Sequence, residues 1–360
     1  MKIKQLVALA TAALMLTACG AKTNNNDNNN NNNNNKAVAT DSQKPKGEGL
    51  KVVTTTYILR DLTQEIAGDK ATVTCLIPKG QGVHGFEPSP KDMNQVNEAD
   101  LFIYNGAGLE SFTDRFKETT EGDATFVEAS EGIELLKGGH HHHHDEDADH
   151  GHDHAAADHD HDHDAADHDH EHEHDAAEHD HEHDAAEHDH EHEGMDPHVW
   201  MSPENAKEMA ENICEALSAK DPDNAAFYKA NYEKLSEKFD ALNDSFEKVL
   251  SKAKYKDIVV SHEAYGYLAK EFGLNQIPIE GINSESEPDP KAMKTIVDEM
   301  KAKGIKTVFT EPHEDDKIAQ TIASEAGAQV KELDPMEYES DKNYFERMES
   351  NLKTLESALQ

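Results

Sequence analysis

The chain has 360 residues and a formal net charge of −40 at pH 7. Acidity of this size excludes nucleic acid as a partner, because phosphates are held by Lys and Arg, and it suits a cationic ligand. The charge is uneven: residues 140–193 hold 22 of the 74 Asp and Glu and 21 of the 25 His, with no Lys or Arg.

Residues 1–18 read as an export signal. Lys2 and Lys4 precede an apolar run at 6–16 that is too short to span a bilayer. The run ends in LTAC, which resembles the lipobox of bacterial lipoproteins and implies cleavage before a lipidated Cys19; the alternative is an ordinary signal with a chance cysteine. Residues 19–49 include the Asn-rich stretch 23–36, which has nothing to bury and is expected to be a disordered tether. Cys75 and Cys214 are then the only other cysteines. Export permits a disulfide, but neither sits in a CxxC pattern, and two buried thiols are as good an expectation.

From residue 50 the pattern alternates. Strand signals fall at 51–57, 71–78, 99–106 and 124–130. Helical runs fall at 58–68, with Gly68 as a stop, and from Pro90. The alternation restarts with strands at 256–262, 275–282, 305–311 and 328–333, and with helices from near Glu263, Pro290, Glu314 and Asp341. Strands alternating with helices imply an α/β fold with parallel sheets, here in two lobes. Between them, Tyr228, Tyr232, Leu235, Phe239, Leu242, Phe246 and Val249 are spaced 4-3-4-3-4-3, one stripe down a single long helix of about 45 Å. The expected organisation is an N-terminal lobe over 50–221 containing the insert 140–193, a connecting helix over 222–255, and a C-terminal lobe over 256–360. A stiff connector predicts modest hinge motion.

Four histidines lie outside the insert. His84 follows a strand through a Gly-rich loop, and His262 ends a strand. His198 precedes a helix that has Ser202 as its N-cap and Pro203 at its first position. In open parallel sheets, ligands bind beyond the carboxyl ends of the strands. After the strand at 328–333, Asp334 and Glu337 are both available. Three imidazoles and one carboxylate meeting in the cleft between lobes would suit tetrahedral Zn²⁺, whereas Mn²⁺ or Ca²⁺ sites are richer in oxygen. His313 reads as a surface residue, Glu87 as a partner near His84 rather than a ligand, Glu311 as structural or a partner to a ligand, and Trp200, Tyr265 and Tyr267 as packing residues.

At these residues the sequence resembles the metal-specific solute-binding lipoproteins of bacterial ABC importers, in the ZnuA/AdcA-like zinc branch. The resemblance covers residues 51–360 through GVHGFEPSPKDM, MDPHVWMSPENA, VVSHEAYGYLAKEFGL, GINSESEPDPKAM, VFTEPHEDDKIAQTIA and LDPMEYE. It implies two α/β lobes bridged by a long helix, with Zn²⁺ between them as the transported ligand. Carried over, His84, His198 and His262 are imidazole ligands, and Glu337 is the fourth, with Asp334 as the alternative. The position of His262 carries a carboxylate in manganese relatives, so His262 favours zinc. The resemblance also implies an extracytoplasmic, lipid-anchored, non-enzymatic protein that serves a permease and its ATPase, and a monomer is expected.

The zinc branch often carries a His-rich loop between the first two ligand blocks, and the insert sits there. His140, His141, His142, His143, His144, His150, His152 and His154 begin it, followed by imperfect copies of AAEHDHEHD. With no apolar residue beyond Ala it cannot bury enough to fold without metal, and it is expected to collect zinc weakly near the cleft. The competing readings are a surface zinc buffer or adhesin, a manganese-binding member of the family, and a zinc hydrolase. The last would need an open fourth position and a general base.

Overall fold

The computed structural model describes residues 49–138, 194–282 and 290–360. The export signal, Cys19, the tether, the tract histidines at 140–144, 150, 152 and 154, and most of the GINSESEPDPKAM block lie outside the described residues.

The first sheet is built from β1 (Leu50–Thr54), β2 (Ala71–Cys75), β3 (Leu101–Tyr104) and β4 (Thr125–Glu128), all parallel in the order β2-β1-β3-β4. β3, LFIY, is buried along its whole length, as a central strand covered on both faces must be. α1 (Tyr57–Ala67) starts where the Thr56 hydroxyl accepts from the Leu59 N–H, and it stops at Gly68, whose φ of 55° suits a residue without a Cβ. α2 (Pro90–Asn97) and α3 (Thr113–Thr119) complete the crossovers. Helix α3 carries no sequence signal: it buries only Thr113 and Phe116, too few positions to show a period.

The second sheet repeats the arrangement. β5 (Asp257–His262), β6 (Asn275–Glu280), β7 (Thr307–Thr310) and β8 (Gln329–Glu332) run parallel in the order β6-β5-β7-β8. Preceding it in sequence are α4 (Pro203–Lys220) and α5 (Ala225–Leu250). Interleaved with and following its strands are α6 (Gly266–Phe272), α7 (Pro290–Lys303), α8 (Lys317–Ala326) and α9 (Tyr344–Ala358). The architecture is thus α/β with two parallel-sheet lobes, as the alternation predicts. Strand ends lie within three residues of the expected bounds. α6 starts three residues later than expected because 263–265 turn the chain off β5, with the Ala264 N–H bonded to the His262 carbonyl.

α5 is one uninterrupted helix of 26 residues, about 39 Å long. It is shorter than the expected 222–255 because residues Pro222–Asn224 form a separate 3₁₀ turn and the helix ends at Leu250. Tyr228, Leu235, Phe239, Leu242 and Phe246 are buried along one stripe, packing on α1 and α4. α9 covers the same helix, with the Phe239 ring 5.5 Å from Tyr344 and 4.9 Å from Phe345. The larger hydrophobic core therefore runs from the first sheet through α4 and α5 to α6 and α9. A smaller core, including Val259, Ile296, Met300, Val308 and Ile322, fills the space between the second sheet and α7 and α8. Cys75 and Cys214 are free thiols, and burial pushes the Cys75 thiol up to about 11. Among the described residues no helix is long and apolar enough to cross a membrane.

Candidate metal centre

In each sheet the strand order reverses between the two central strands, β1 and β3 in one, β5 and β7 in the other. The crevice beyond their carboxyl ends is where such sheets accept ligands. His262 is the last residue of β5, and Glu311 follows β7, so both flank the second crevice. His84 comes from the loop after β2. His198 precedes a buried 3₁₀ turn, Val199–Met201, that leads into α4, where the Ser202 hydroxyl accepts from the Asn205 N–H and fixes the helix start. Glu337 lies in the loop after β8.

These four side chains converge. The Nε2 atoms of His84 and His198 are 3.0 Å apart, and those of His198 and His262 are 3.3 Å apart. Glu337 Oε1 lies 3.3 Å from Nε2 of His84 and 3.1 Å from Nε2 of both His198 and His262. Four donors at 2.0–2.1 Å from a tetrahedral zinc ion are about 3.3 Å from each other, so the observed separations are those of a small tetrahedron. His198, His262 and Glu337 are buried, while His84 is partly exposed. Among the described residues this is the one group of three or more His, Cys, Asp or Glu arranged to hold a metal ion.

The outward faces of two imidazoles are held by carboxylates. His198 Nδ1 is 2.7 Å from Asp196 Oδ1, which also accepts the His198 backbone N–H at 3.0 Å. His262 Nδ1 meets Glu311 Oε1, which also accepts from Ser261 Oγ at 2.9 Å. A carboxylate at Nδ1 places the proton there and leaves the Nε2 lone pair facing inward, the tautomer a metal requires. Two inward lone pairs at 3.3 Å, with a carboxylate oxygen 3.1 Å from each, repel one another unless a proton or a cation is shared between them.

The titration directions agree. Burial disfavours the charged form of His198, but hydrogen bonds to Asp196 and Glu337 outweigh it and raise its pKa above the ordinary histidine value. For His262, burial is likewise outweighed by Glu311 and Glu337, and the pKa is raised well above that value. Burial would raise Glu337, yet its bonds with the three histidines hold it well below the usual carboxylate range. The site is therefore a competition between protons and a cation for the same atoms.

Asp334 stands outside the cluster. Arg347 on α9 grips it with two bonds of 2.7 Å, and its Oδ1 also accepts the Met336 N–H at 2.8 Å. Of the acids after β8, only Glu337 faces the histidines. It does so through a tight turn in which Met336 takes a left-handed φ of 66°. Trp200 fastens that turn from the first lobe, its Nε1–H donating to the Pro335 carbonyl at 2.8 Å, with its ring 5.4 Å from His198. Tyr265 donates to the Leu333 carbonyl at 2.7 Å. Glu87 is exposed and takes no part in the cluster, and His313 is exposed beside Tyr338. Asp196 is not among the residues expected at the site, and its one sequence signal is its position two residues before His198 in DPH.

A family described as "ZnuA: Zinc-uptake complex component A periplasmic" matches residues 52–358. The high-affinity zinc uptake system protein ZnuA of Bacillus subtilis (strain 168) is 34% identical over 325 residues, which cover 88% of this chain and 90% of that protein. The zinc-binding protein AdcA of Streptococcus pyogenes serotype M3 is 35% identical over 324 residues, again 88% of this chain but 57% of AdcA, so the chain spans a little over half of that relative. Among solved structures, the Zn(II)-bound ZnuA-like domain of Streptococcus pneumoniae AdcA superposes with a TM-score of 0.65 at 27% identity, covering 86% of this chain and 99% of that domain. The laminin-binding protein Lmb of Streptococcus agalactiae, described as having adhesin and metal-transporting activity, gives 0.68 at 29% identity, covering 87% and 100%. With its two parallel-sheet lobes and a three-histidine, one-glutamate cluster between them, the chain belongs to the ZnuA family of periplasmic zinc-uptake components.

Proposed function

We propose that this protein captures Zn²⁺ outside the cytoplasm with His84, His198, His262 and Glu337, and delivers it to the permease of an ABC importer. The observation that carries the reading is the 3.0–3.3 Å spacing of three Nε2 atoms and one carboxylate oxygen, with Nδ1 of His198 and His262 facing carboxylates. A donor set of three nitrogens and one oxygen suits zinc better than manganese, which prefers more oxygen. With Glu337 in the fourth position there is no open site for a water nucleophile, which argues for binding and release rather than hydrolysis. Uptake accounts for the cluster without any adhesive role.

In the same reading the N-terminal segment is removed, Cys19 carries the lipid, and the chain acts as a monomer at the outer face of the membrane. The histidines of 140–193 collect zinc at many weak sites, while the cleft holds one ion tightly. The test is metal analysis with calorimetry on the chain lacking 140–193, with and without His84→Ala, His198→Ala and His262→Ala. One tight zinc in the first and none in the second is the expected result. Tight binding absent from both would make the tract the metal site and the protein a zinc buffer.

A further inference from the structure

The described residues that flank 139–193 pair with each other two residues before His198. The Gly138 N–H donates to the Gly194 carbonyl and the Asp196 N–H to the Leu136 carbonyl, both at 2.8 Å, and Lys137 and Met195 form an antiparallel bridge. This short ladder belongs to the first lobe and runs directly into Asp196, whose carboxylate holds His198. A side chain of the second lobe closes over it. Tyr267, on α6, donates its hydroxyl to the Asp196 carbonyl at 2.7 Å and accepts the Leu136 N–H at 3.0 Å. The ring is almost fully buried. Its neighbour Gly266 packs so closely that a Cβ there would lie 2.6 Å from Asp196 Oδ2.

The placement matters because α6 follows β5 after only three residues, so the stretch 262–267 both supplies the ligand His262 and grips the residue that orients His198. One hydroxyl therefore registers the second lobe's ligand against the first lobe's ligand. We propose that Tyr267 is a positioning residue that sets the size of the metal site, holding the His198 and His262 nitrogens at the spacing of a small tetrahedral ion and so favouring Zn²⁺ over larger divalent cations. The proposal rests on the zinc-binding reading above and adds the source of its size selectivity.

The physical basis is that the Tyr267 hydroxyl is a two-bond link between the Asp196 carbonyl and the Leu136 N–H. Tyr267→Phe keeps the ring and its packing but leaves the Asp196 carbonyl and the Leu136 N–H without that partner, which frees the ladder to shift against α6. Outer contacts to ligating histidines alter metal affinity by about 10–100-fold. Gly266→Ala presses on the Asp196 carboxylate from the other side and should act in the same direction. Tyr228→Phe is the control: it removes a buried hydroxyl bonded to Asp221 at 2.8 Å on the far helices, with no link to the cluster.

The experiment measures Zn²⁺ and Cd²⁺ affinities by competition with a chromophoric chelator, on the full mature chain and on Tyr267→Phe, Gly266→Ala, Tyr228→Phe and His198→Ala. Thermal unfolding of each variant is followed in parallel. The expected result is a fall of about tenfold in the zinc-to-cadmium affinity ratio for Tyr267→Phe and Gly266→Ala, with no change in the ratio for Tyr228→Phe. An unchanged ratio in Tyr267→Phe, whether or not its melting temperature falls, overturns the proposal while leaving the site intact. Tight zinc binding that survives His198→Ala overturns the site reading itself, and the proposal with it.

Discussion

Glu311→Gln isolates the part that a buried carboxylate plays behind a ligand. Glu311 Oε1 meets His262 Nδ1 and accepts from Ser261 Oγ at 2.9 Å, bonds that an amide oxygen can keep. What is lost is the negative charge that makes His262 a stronger donor to metal. Such a loss weakens binding by about 10–100-fold, or about 1.4–2.7 kcal/mol. The effect should depend on pH in a defined direction. In the parent, Glu311 and Glu337 outweigh burial and raise the His262 pKa well above its ordinary value, so zinc must displace a proton at neutral pH. Removing Glu311 lowers that pKa and lightens the competition. The affinity gap should be widest near pH 8 and narrow as pH falls through the range where the parent's His262 holds a proton, with fewer protons released per zinc in the variant. Glu311 Oε2 is already buried with no hydrogen-bond partner among the described residues, so the amide NH₂ replaces one unsatisfied group with another and the fold should tolerate the change. Calorimetry in two buffers of different ionisation enthalpy, below the unfolding range, reads affinity and proton release together. Equal affinities at pH 8, or an affinity ratio that does not change with pH, would mean that the Glu311 charge does not act through His262.

Further expectations follow from the same geometry. Acid should release zinc from the parent: His198 and His262 have raised pKa values and Glu337 stays ionised, so protons begin to compete above the usual histidine range, and equilibrium dialysis should show affinity falling steadily from neutral pH downward. The metal-free protein should behave oppositely, because folded-state pKa values raised at two histidines add stability that is fully present below about pH 6.5 and is lost as pH rises through the folded values; denaturant titrations across pH test this. Trp200, the only tryptophan, has its ring 5.4 Å from His198, so zinc should change its emission with a single-site isotherm that His198→Ala abolishes. Arg347→Ala leaves Asp334 without its partner in a largely buried position and should cost about 3 kcal/mol in denaturant unfolding.

Much of the fold was legible because each lobe repeats strand and helix with their own periods, and the α5 stripe could be read residue by residue. The three histidines were legible because each lies at or just beyond a strand or before a capped helix. The choice between Asp334 and Glu337 was not, since the two acids lie three residues apart on one loop. In the fold Arg347, 13 residues beyond Asp334 on α9, pairs with that acid, and the left-handed turn at Met336 turns Glu337 toward the histidines. The roles of the aromatic residues were hidden for a similar reason. Trp200, Tyr265 and Tyr267 are buried as their composition predicts, but the carbonyls their polar ends reach are 135, 68 and 71 residues away in sequence. The ladder joining residues 136–138 to 194–196 spans the whole insert, and no local pattern announces it.

The proposed function requires one zinc ion among His84, His198, His262 and Glu337. The most direct measurement is an anomalous difference map at the zinc absorption edge, from crystals of the protein grown with one equivalent of zinc. One strong peak is expected about 2.0–2.1 Å from the three Nε2 atoms and from Glu337 Oε1. A strong peak elsewhere with none in the cluster would contradict it.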